Sequence, residues 1–218
     1  YAHCPTWHSF CNARTSMKSW VSIVLICTLF YSFRYKMDER VVAQAYIERY
    51  SVLAVNEMRR SGVPASIKLA QAMVESNAGR SVLALESNNH FGIKCKSYWK
   101  GQSYYHKDDD LDAKGKLMES CFRAYADIDA SFKDHSDFLR SSAKYASLFN
   151  LDITDYKSWA YGLKECGYAT DRSYSLKLIR TIEEYQLYRY DTYLSSEFDL
   201  PAYQALTSQI VPIQSTID

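Results

Sequence analysis

From about Asp38 apolar residues recur at three- and four-residue intervals, through Val42, Tyr46, Ile47, Tyr50, Leu53, Ala54 and Met58. That spacing is one face of an α-helix laid on a core. Ser61-Gly62-Val63-Pro64 breaks the pattern, and Pro64 is placed to open a second helix carrying Ile67, Leu69, Ala70, Met73 and Val74. This helix is apolar almost all round. Its polar stripe is Lys68, Gln71 and Glu75, and it should end near Asn77-Ala78-Gly79. Between Asn88 and about Tyr125 the helical period disappears. Phe91–Cys95, Ser103–Tyr105 and Ser120–Tyr125 read instead as short strands around turn-rich, acidic loops. Helices then resume: one capped by Asp127 or Asp129 and bearing Phe132, His135, Phe138 and Leu139; one bearing Trp159 and Leu163 and stopping at Gly167; one capped by Asp171 and carrying Leu178, Ile182 and Tyr185. After about Asp191 the pattern fades. Helices flanking one small β insertion make an α+β arrangement around a single core.

The chain upstream of Asp38 has a different character. Met17-Lys18 precedes an uncharged run from Ser19 to Phe33 that ends at Arg34, the pattern of a basic n-region and an apolar h-region. The run is shorter than the roughly 20 residues that span a bilayer, so a signal peptide or short signal anchor over 17–35 is expected. No A-x-A-like cleavage site follows, and the bulky Ile26 before Cys27 makes a poor lipoprotein box. Residues 1–16 read as upstream or non-native sequence. Their His3, Cys4, His8 and Cys11 fit no standard zinc spacing. The expected organisation is therefore a domain over 38–191 and a C-terminal tail over 192–218.

Composition narrows the class. Of 218 residues, 47% are hydrophobic and only seven are Gly and four Pro, which excludes a disordered or collagen-like chain. Twenty-six Lys and Arg against 25 Asp and Glu leave a net charge of +1, so neither nucleic acid nor an acidic membrane is the expected partner. Membrane contact, if any, falls to the N-terminal apolar segment, and a monomer is expected. The 19 tyrosines suit a carbohydrate groove and half-buried helix packing alike.

Glu75 is the first residue with chemistry to offer. Near the C-terminus of a largely buried helix, the macrodipole disfavours its charged form and raises its pKa, as a general acid for glycosidic cleavage requires. The alternative is a solvated residue on a polar stripe. The loop Asp108-Asp109-Asp110-Leu111-Asp112 could supply a second carboxylate, since glycosidases use a pair flanking the scissile bond. Asp108, Asp110, Asp112 and Glu119 also match positions 1, 3, 5 and 12 of a calcium-loop template, but Ala113 stands where its sharp turn needs Gly. Cys121 or Cys166 with His90 or His135 lies in no recognisable nucleophile motif. Cys95 and Cys121 fall on two of the expected strands, and export would permit a disulfide between them. Cys166 then reads as a small buried hydrophobe. His135 shares a helical face with Phe132 and Leu139 and is expected to be structural.

Five blocks, in order, resemble one family: Gly62 to Ser76, Asn88-Asn89-His90-Phe91-Gly92-Ile93-Lys94, Trp99-Lys100-Gly101, Cys121-Phe122-Arg123-Ala124-Tyr125 and Gly167-Tyr168-Ala169-Thr170-Asp171. They are similar to the glucosaminidase family of bacterial peptidoglycan hydrolases, over about Val41 to Tyr185. The resemblance implies a lysozyme-like fold with a cleft between a mainly helical lobe and a small β-lobe. It implies cleavage of the β-1,4 bond between N-acetylglucosamine and N-acetylmuramic acid, with peptidoglycan glycan strands as partner and no cofactor or metal. By position, Glu75 matches the family's acid and Tyr168 its cleft tyrosine. The family often has Glu in the β-lobe loop, where this chain has Asp109 or Asp110. Asn89, Phe91, Trp99 and Tyr104 are the implied substrate-binding residues. Action outside the cytoplasm, in periplasm or cell envelope, follows from the same resemblance. Related activities on this fold, a muramidase or lytic transglycosylase, and a non-catalytic glycan-binding protein are the alternatives.

Overall fold

The computed structural model describes residues 17–111 and 115–193, with side chains over 38–107 and 115–193. His3, Cys4, His8, Cys11, Asp112, Ala113 and the tail beyond residue 193 lie outside them. The chain divides into two compact units, residues 1–41 and 42–218. In the first, the backbone is helical from Met17, at the start of α1 (Met17–Ser61). Among the described residues no helix is long and apolar enough to cross a membrane. The helix expected from about Asp38 is thus the second half of a longer one.

The larger unit is built around α2 (Ala65–Ser76), whose residues from Ala65 to Met73 are all buried. It packs against α5 (Tyr156–Glu165), α6 (Tyr174–Glu184) and a 3₁₀ helix over Leu187–Thr192. Ile67, Leu69, Phe132, Leu139, Trp159, Leu163, Leu178, Ile182 and Leu187 fill the core between them. Fully burying each such side chain is worth roughly 1.5–3 kcal/mol, so this helix is among the least movable parts of the unit. Pro64 opens the helix from its N-cap position, its carbonyl accepting the Lys68 N–H at 3.0 Å, and supplies no side-chain cap. The cap comes from far along the chain: the Asp191 carboxylate accepts the Ser66 N–H at 2.8 Å. Asp191, the last residue of the expected domain, is fully buried.

At its other end α2 stops at Asn77, which turns left-handed at φ 52°. Gly79 follows at φ 80°, and a Cβ there would come within 3.1 Å of the Tyr46 ring. Both the turn and the close approach require glycine. A short α3 (Val82–Ser87) follows, capped by Ser81 accepting from the Ala84 N–H at 3.2 Å.

The β insertion is an antiparallel pair, β1 (Ser103–Leu111) and β2 (Leu117–Arg123), in register Ser103↔Arg123, Tyr105↔Cys121 and Lys107↔Glu119. The register shifts between Lys107 and Leu111. The strand expected over 91–95 contracts to a single bridge, Lys94↔Phe122, supported by Cys95 N–H to Cys121 O at 2.8 Å. The expected disulfide, Cys95–Cys121, staples this edge with a Cα separation of 5.3 Å. Arg123 ties the sheet to α4 (Ile128–Ser141): its guanidinium bonds Asp134 at 2.7 Å and lies 4.5 Å from the Trp99 ring centroid.

Asp127, of the two capping candidates, caps α4 through the Ala130 N–H at 2.8 Å. Asp171 does not cap α6. Ser173 holds the N-cap position, while Asp171 accepts the Ser173 N–H and Oγ–H and pairs with Lys177 at 2.6 Å. A 3₁₀ helix over Ala143–Asn150 is, like α3 and the one over Leu187–Thr192, an element that the apolar periodicity does not reveal, because so few residues hold too few turns for a period to show. The architecture is the expected α+β one, mainly helical with one small sheet.

Candidate active site

Lys68, Gln71 and Glu75 recur along one face of α2, as the spacing predicts, but the face is not solvated. Lys68 and Gln71 are fully buried. A polar row on a buried helix must find polar partners, because leaving a buried donor or acceptor unmade costs about 1–3 kcal/mol. Each residue finds different ones. Lys68 Nζ donates to the Phe132 carbonyl at 3.0 Å, to His135 Nδ1 at 3.0 Å and to Ser136 Oγ. Burial pushes the Lys68 ammonium down to about 7. His135 is also fully buried, stacked 4.0 Å from the Phe91 ring, and burial next to Lys68 holds it well below its ordinary pKa. A neutral imidazole accepting at Nδ1 is a packed, hydrogen-bonded group.

Gln71 Nε2 donates to the Tyr174 hydroxyl at 3.0 Å, and Tyr174 donates to Glu75 Oε1 at 2.8 Å. Tyr174 is the first residue of α6. Tyr168 comes from the turn after α5, where Gly167 at φ 68° ends the helix and the Tyr168 N–H bonds the Leu163 carbonyl at 3.0 Å. Its ring stacks on that of Tyr174 at 5.6 Å and meets His135 edge-on at 5.9 Å. Burial, and after it the nearby Glu75 charge, hold the Tyr168 phenol well above its ordinary pKa. The structure thus brings Glu75, Tyr168 and Tyr174 together.

The Glu75 carboxyl is held above its ordinary pKa, and burial is the main cause. The Tyr174 hydrogen bond and the Lys177 charge pull the other way without overcoming it. A carboxyl whose charged form is disfavoured by burial, with a donor ready to stabilise its anion once the proton leaves, has the character of a general acid.

The other expected site residues divide. Asp109 and Asp110 belong to β1, in the stretch where its register with β2 shifts, and their side chains lie outside the described residues. Trp99 is half-buried, its indole N–H on the Gln102 carbonyl at 2.9 Å, and Gly101 lies so close to the indole that any Cβ would overlap it. Tyr104 is half-buried on β1 opposite Phe122, stacked on His106 at 6.2 Å. Asn89 and Phe91 are buried in the fold. The Asn89 amide donates to the Ile93 and Arg123 carbonyls and accepts from the Phe91 and Ile93 N–H groups. All four of its hydrogen-bonding positions are used inside the fold. Phe91 packs between Phe132 and His135.

The thiol pairing is overturned for Cys121, which is in the disulfide. Cys166 is half-buried. Among the described residues no group of three or more His, Cys, Asp and Glu could hold a metal ion. Sequence reasoning missed Tyr174, which no motif marks. The available signal was the polar row on α2, since its buried members require partners on facing helices.

A profile of the family described as mannosyl-glycoprotein endo-beta-N-acetylglucosaminidase matches residues 51–187. Exo-glucosaminidase LytG of Bacillus subtilis is 35% identical over 155 residues, covering 68% of this chain and 50% of the relative. Peptidoglycan hydrolase FlgJ of Pseudomonas aeruginosa is 28% identical, with 67% and 38% covered. The chain thus spans half or less of the length of these relatives. Among solved structures, the catalytic domain of the autolysin Auto from Listeria monocytogenes superposes with a TM-score of 0.62 at 29% identity, covering 68% of this chain and 87% of that one. The glycoside hydrolase domain of Salmonella typhimurium FlgJ gives 0.54 at 28%, covering 66% and 88%. The fold is the lysozyme-like one that these domains share.

Proposed function

The chain belongs to the glucosaminidase family, and from that membership we propose that it is a peptidoglycan hydrolase that cleaves the β-1,4 bond between N-acetylglucosamine and N-acetylmuramic acid. The observation that carries this reading is Glu75, a half-buried carboxyl with a raised pKa on the most deeply packed helix. Glu75 gives its proton to the glycosidic oxygen as the bond to C1 breaks, and the bonding electron pair leaves with that oxygen. Positive charge then develops at C1. Asp110, or Asp109 next to it, is the second carboxylate, activating water or steadying that charge, unless the sugar's own N-acetyl oxygen does so. Tyr168, stacked on Tyr174, is the cleft tyrosine next to Glu75. Trp99 and Tyr104 are half-buried aromatics able to lie against sugar rings.

Residues 38–191 form the catalytic domain in this proposal, and glycan strands of the cell wall are its partner. The work is done outside the cytoplasm. An apolar segment precedes the domain, and the Cys95–Cys121 disulfide suits an oxidising compartment.

The test is mass spectrometry of muropeptides released from purified sacculi by the wild type and by Glu75→Gln. The amide keeps the shape and cannot donate the proton, so turnover should fall by about 10²–10⁴ while the far-ultraviolet circular dichroism is unchanged. Reducing-end N-acetylglucosamine supports the proposal. Reducing N-acetylmuramic acid or an anhydro sugar would reassign the bond, and undiminished release by folded Glu75→Gln would remove Glu75 from the mechanism.

A further inference from the structure

We propose that Tyr174, itself oriented by Gln71, is a positioning residue for Glu75: by occupying Oε1 it leaves the transferable proton on Oε2. The inference rests on the reading of Glu75 as the acid. A phenol has a single O–H, so the direction in which it points is decided by what its oxygen accepts. Gln71 Nε2 donates into the Tyr174 oxygen at 3.0 Å, and the phenol proton is therefore directed at Glu75 Oε1, 2.8 Å away. Gln71 and Tyr174 are both buried, so neither can turn to water instead.

A protonated carboxyl has one O–H and one C=O. Oε1 accepts from Tyr174 and is the C=O, which puts the acidic proton on Oε2. No described side chain hydrogen-bonds to Oε2. The arrangement also changes strength in the useful direction. As the proton departs, charge grows on the carboxylate, and a hydrogen bond from a neutral phenol to an anion is roughly twice as strong as one to a neutral carbonyl. Tyr174 thus holds the acid in one orientation before transfer and stabilises its anion afterwards. Burial keeps the phenol protonated throughout. Tyr168, stacked on Tyr174 at 5.6 Å and 20°, fixes the plane of the ring. The titratable groups facing Glu75 among the described residues are Tyr174 and Lys177 of α6 and Tyr168 of the preceding turn.

Two readouts on the full chain test this: titration of the Glu75 carboxyl carbon by nuclear magnetic resonance on ¹³C-glutamate-labelled protein, and the pH dependence of muropeptide release. In Tyr174→Phe the Glu75 midpoint should rise by about one unit, because the anion loses its donor. The alkaline limb of the rate profile should move up with it, and kcat should fall about tenfold with KM unchanged, because the acid loses its fixed orientation. Gln71→Met, which keeps the volume and removes only the donor to Tyr174, should move the midpoint in the same direction by less. It supplies the measurement if Tyr174→Phe does not fold. A residue with a merely structural role would alter melting and leave the midpoint in place, so an unmoved midpoint in the folded variants overturns the proposal. If Glu75→Gln abolishes release while Tyr174→Phe leaves the midpoint unmoved, this inference alone fails. If the midpoint moves but Glu75→Gln still releases muropeptides, the hydrogen-bonded pair stands and the assigned function fails.

Discussion

Replacing Asp191 by Asn should stabilise the protein at neutral pH and change nothing at pH 3.5. Pro64 at the N-cap of α2 has no group to cap with, and Asp191 accepts the Ser66 N–H in its place. Its second oxygen, Oδ2, is buried without a partner among the described residues. Burial pushes the carboxyl up to about 6 from an ordinary 3.8, against the lowering effect of the bonds from Ser66 and Ala65. Because the folded pKa lies above the unfolded one, the folded state binds the proton more tightly. The associated stability is fully present below about pH 3.8 and is lost as pH rises through about 6. At 1.36 kcal/mol per unit, a difference of about two units amounts to ~3 kcal/mol between the two ends of that window. Asn offers the same carbonyl acceptor to the Ser66 N–H and carries no charge to bury. Urea unfolding of wild type and Asp191→Asn from pH 3.5 to 8 isolates this group, since all other titrations cancel in the difference. The variant should gain up to ~3 kcal/mol over the wild type by pH 7, with the change centred between about 4 and 6. Asp191→Ala should be less stable than wild type at pH 3.5 by about 0.5–2 kcal/mol, the usual worth of a cap. A difference between Asp191 and Asn that does not vary with pH would refute the burial argument. A wild type more stable than Asn at pH 7 would mean that attraction of the charge to the helix N-terminus outweighs its desolvation.

Two further outcomes follow from the β insertion. Cys95→Ser with Cys121→Ser should lower stability by roughly 3–4 kcal/mol, the chain-entropy value for a loop closed over 26 residues; protease digestion should cut between Lys96 and Ser120 first, and an unchanged cleavage pattern would count against a clamping role. Of Asp109→Asn and Asp110→Asn assayed on sacculi, one should reduce turnover by about 10²-fold or more and the other only mildly, with the acidic limb of the pH profile lost in the first; uniform small losses would return the loop to a solvated charge run, and rescue governed by added calcium would favour the metal reading.

The elements legible in the sequence are those whose signal is local. The apolar spacing of α2, α4, α5 and α6 reports which face of each helix is covered, because residues three and four apart share a face whatever lies opposite. The same locality exposed the β insertion, the two cysteines facing across it, and Glu75 at the end of an otherwise apolar helix. What periodicity could not report is the identity of the covering group. It suggested a solvated edge for Lys68, Gln71 and Glu75, while the fold buries the first two and gives them His135 and Tyr174, 67 and 103 residues away. It ended the domain near Asp191, while the fold turns that carboxylate back 125 residues to cap α2. The family resemblance, not periodicity, offered Asn89 and Phe91 to the substrate; in the fold Asn89 bonds the Ile93 and Arg123 carbonyls and Phe91 packs against Phe132 and His135. A helical face is a property of a few neighbouring residues, but a buried hydrogen bond belongs to two segments. Only the packing that brings those segments together decides which donor meets which acceptor, and so Tyr174 as the hydrogen-bond partner of Gln71 and Glu75 became visible only in the folded chain.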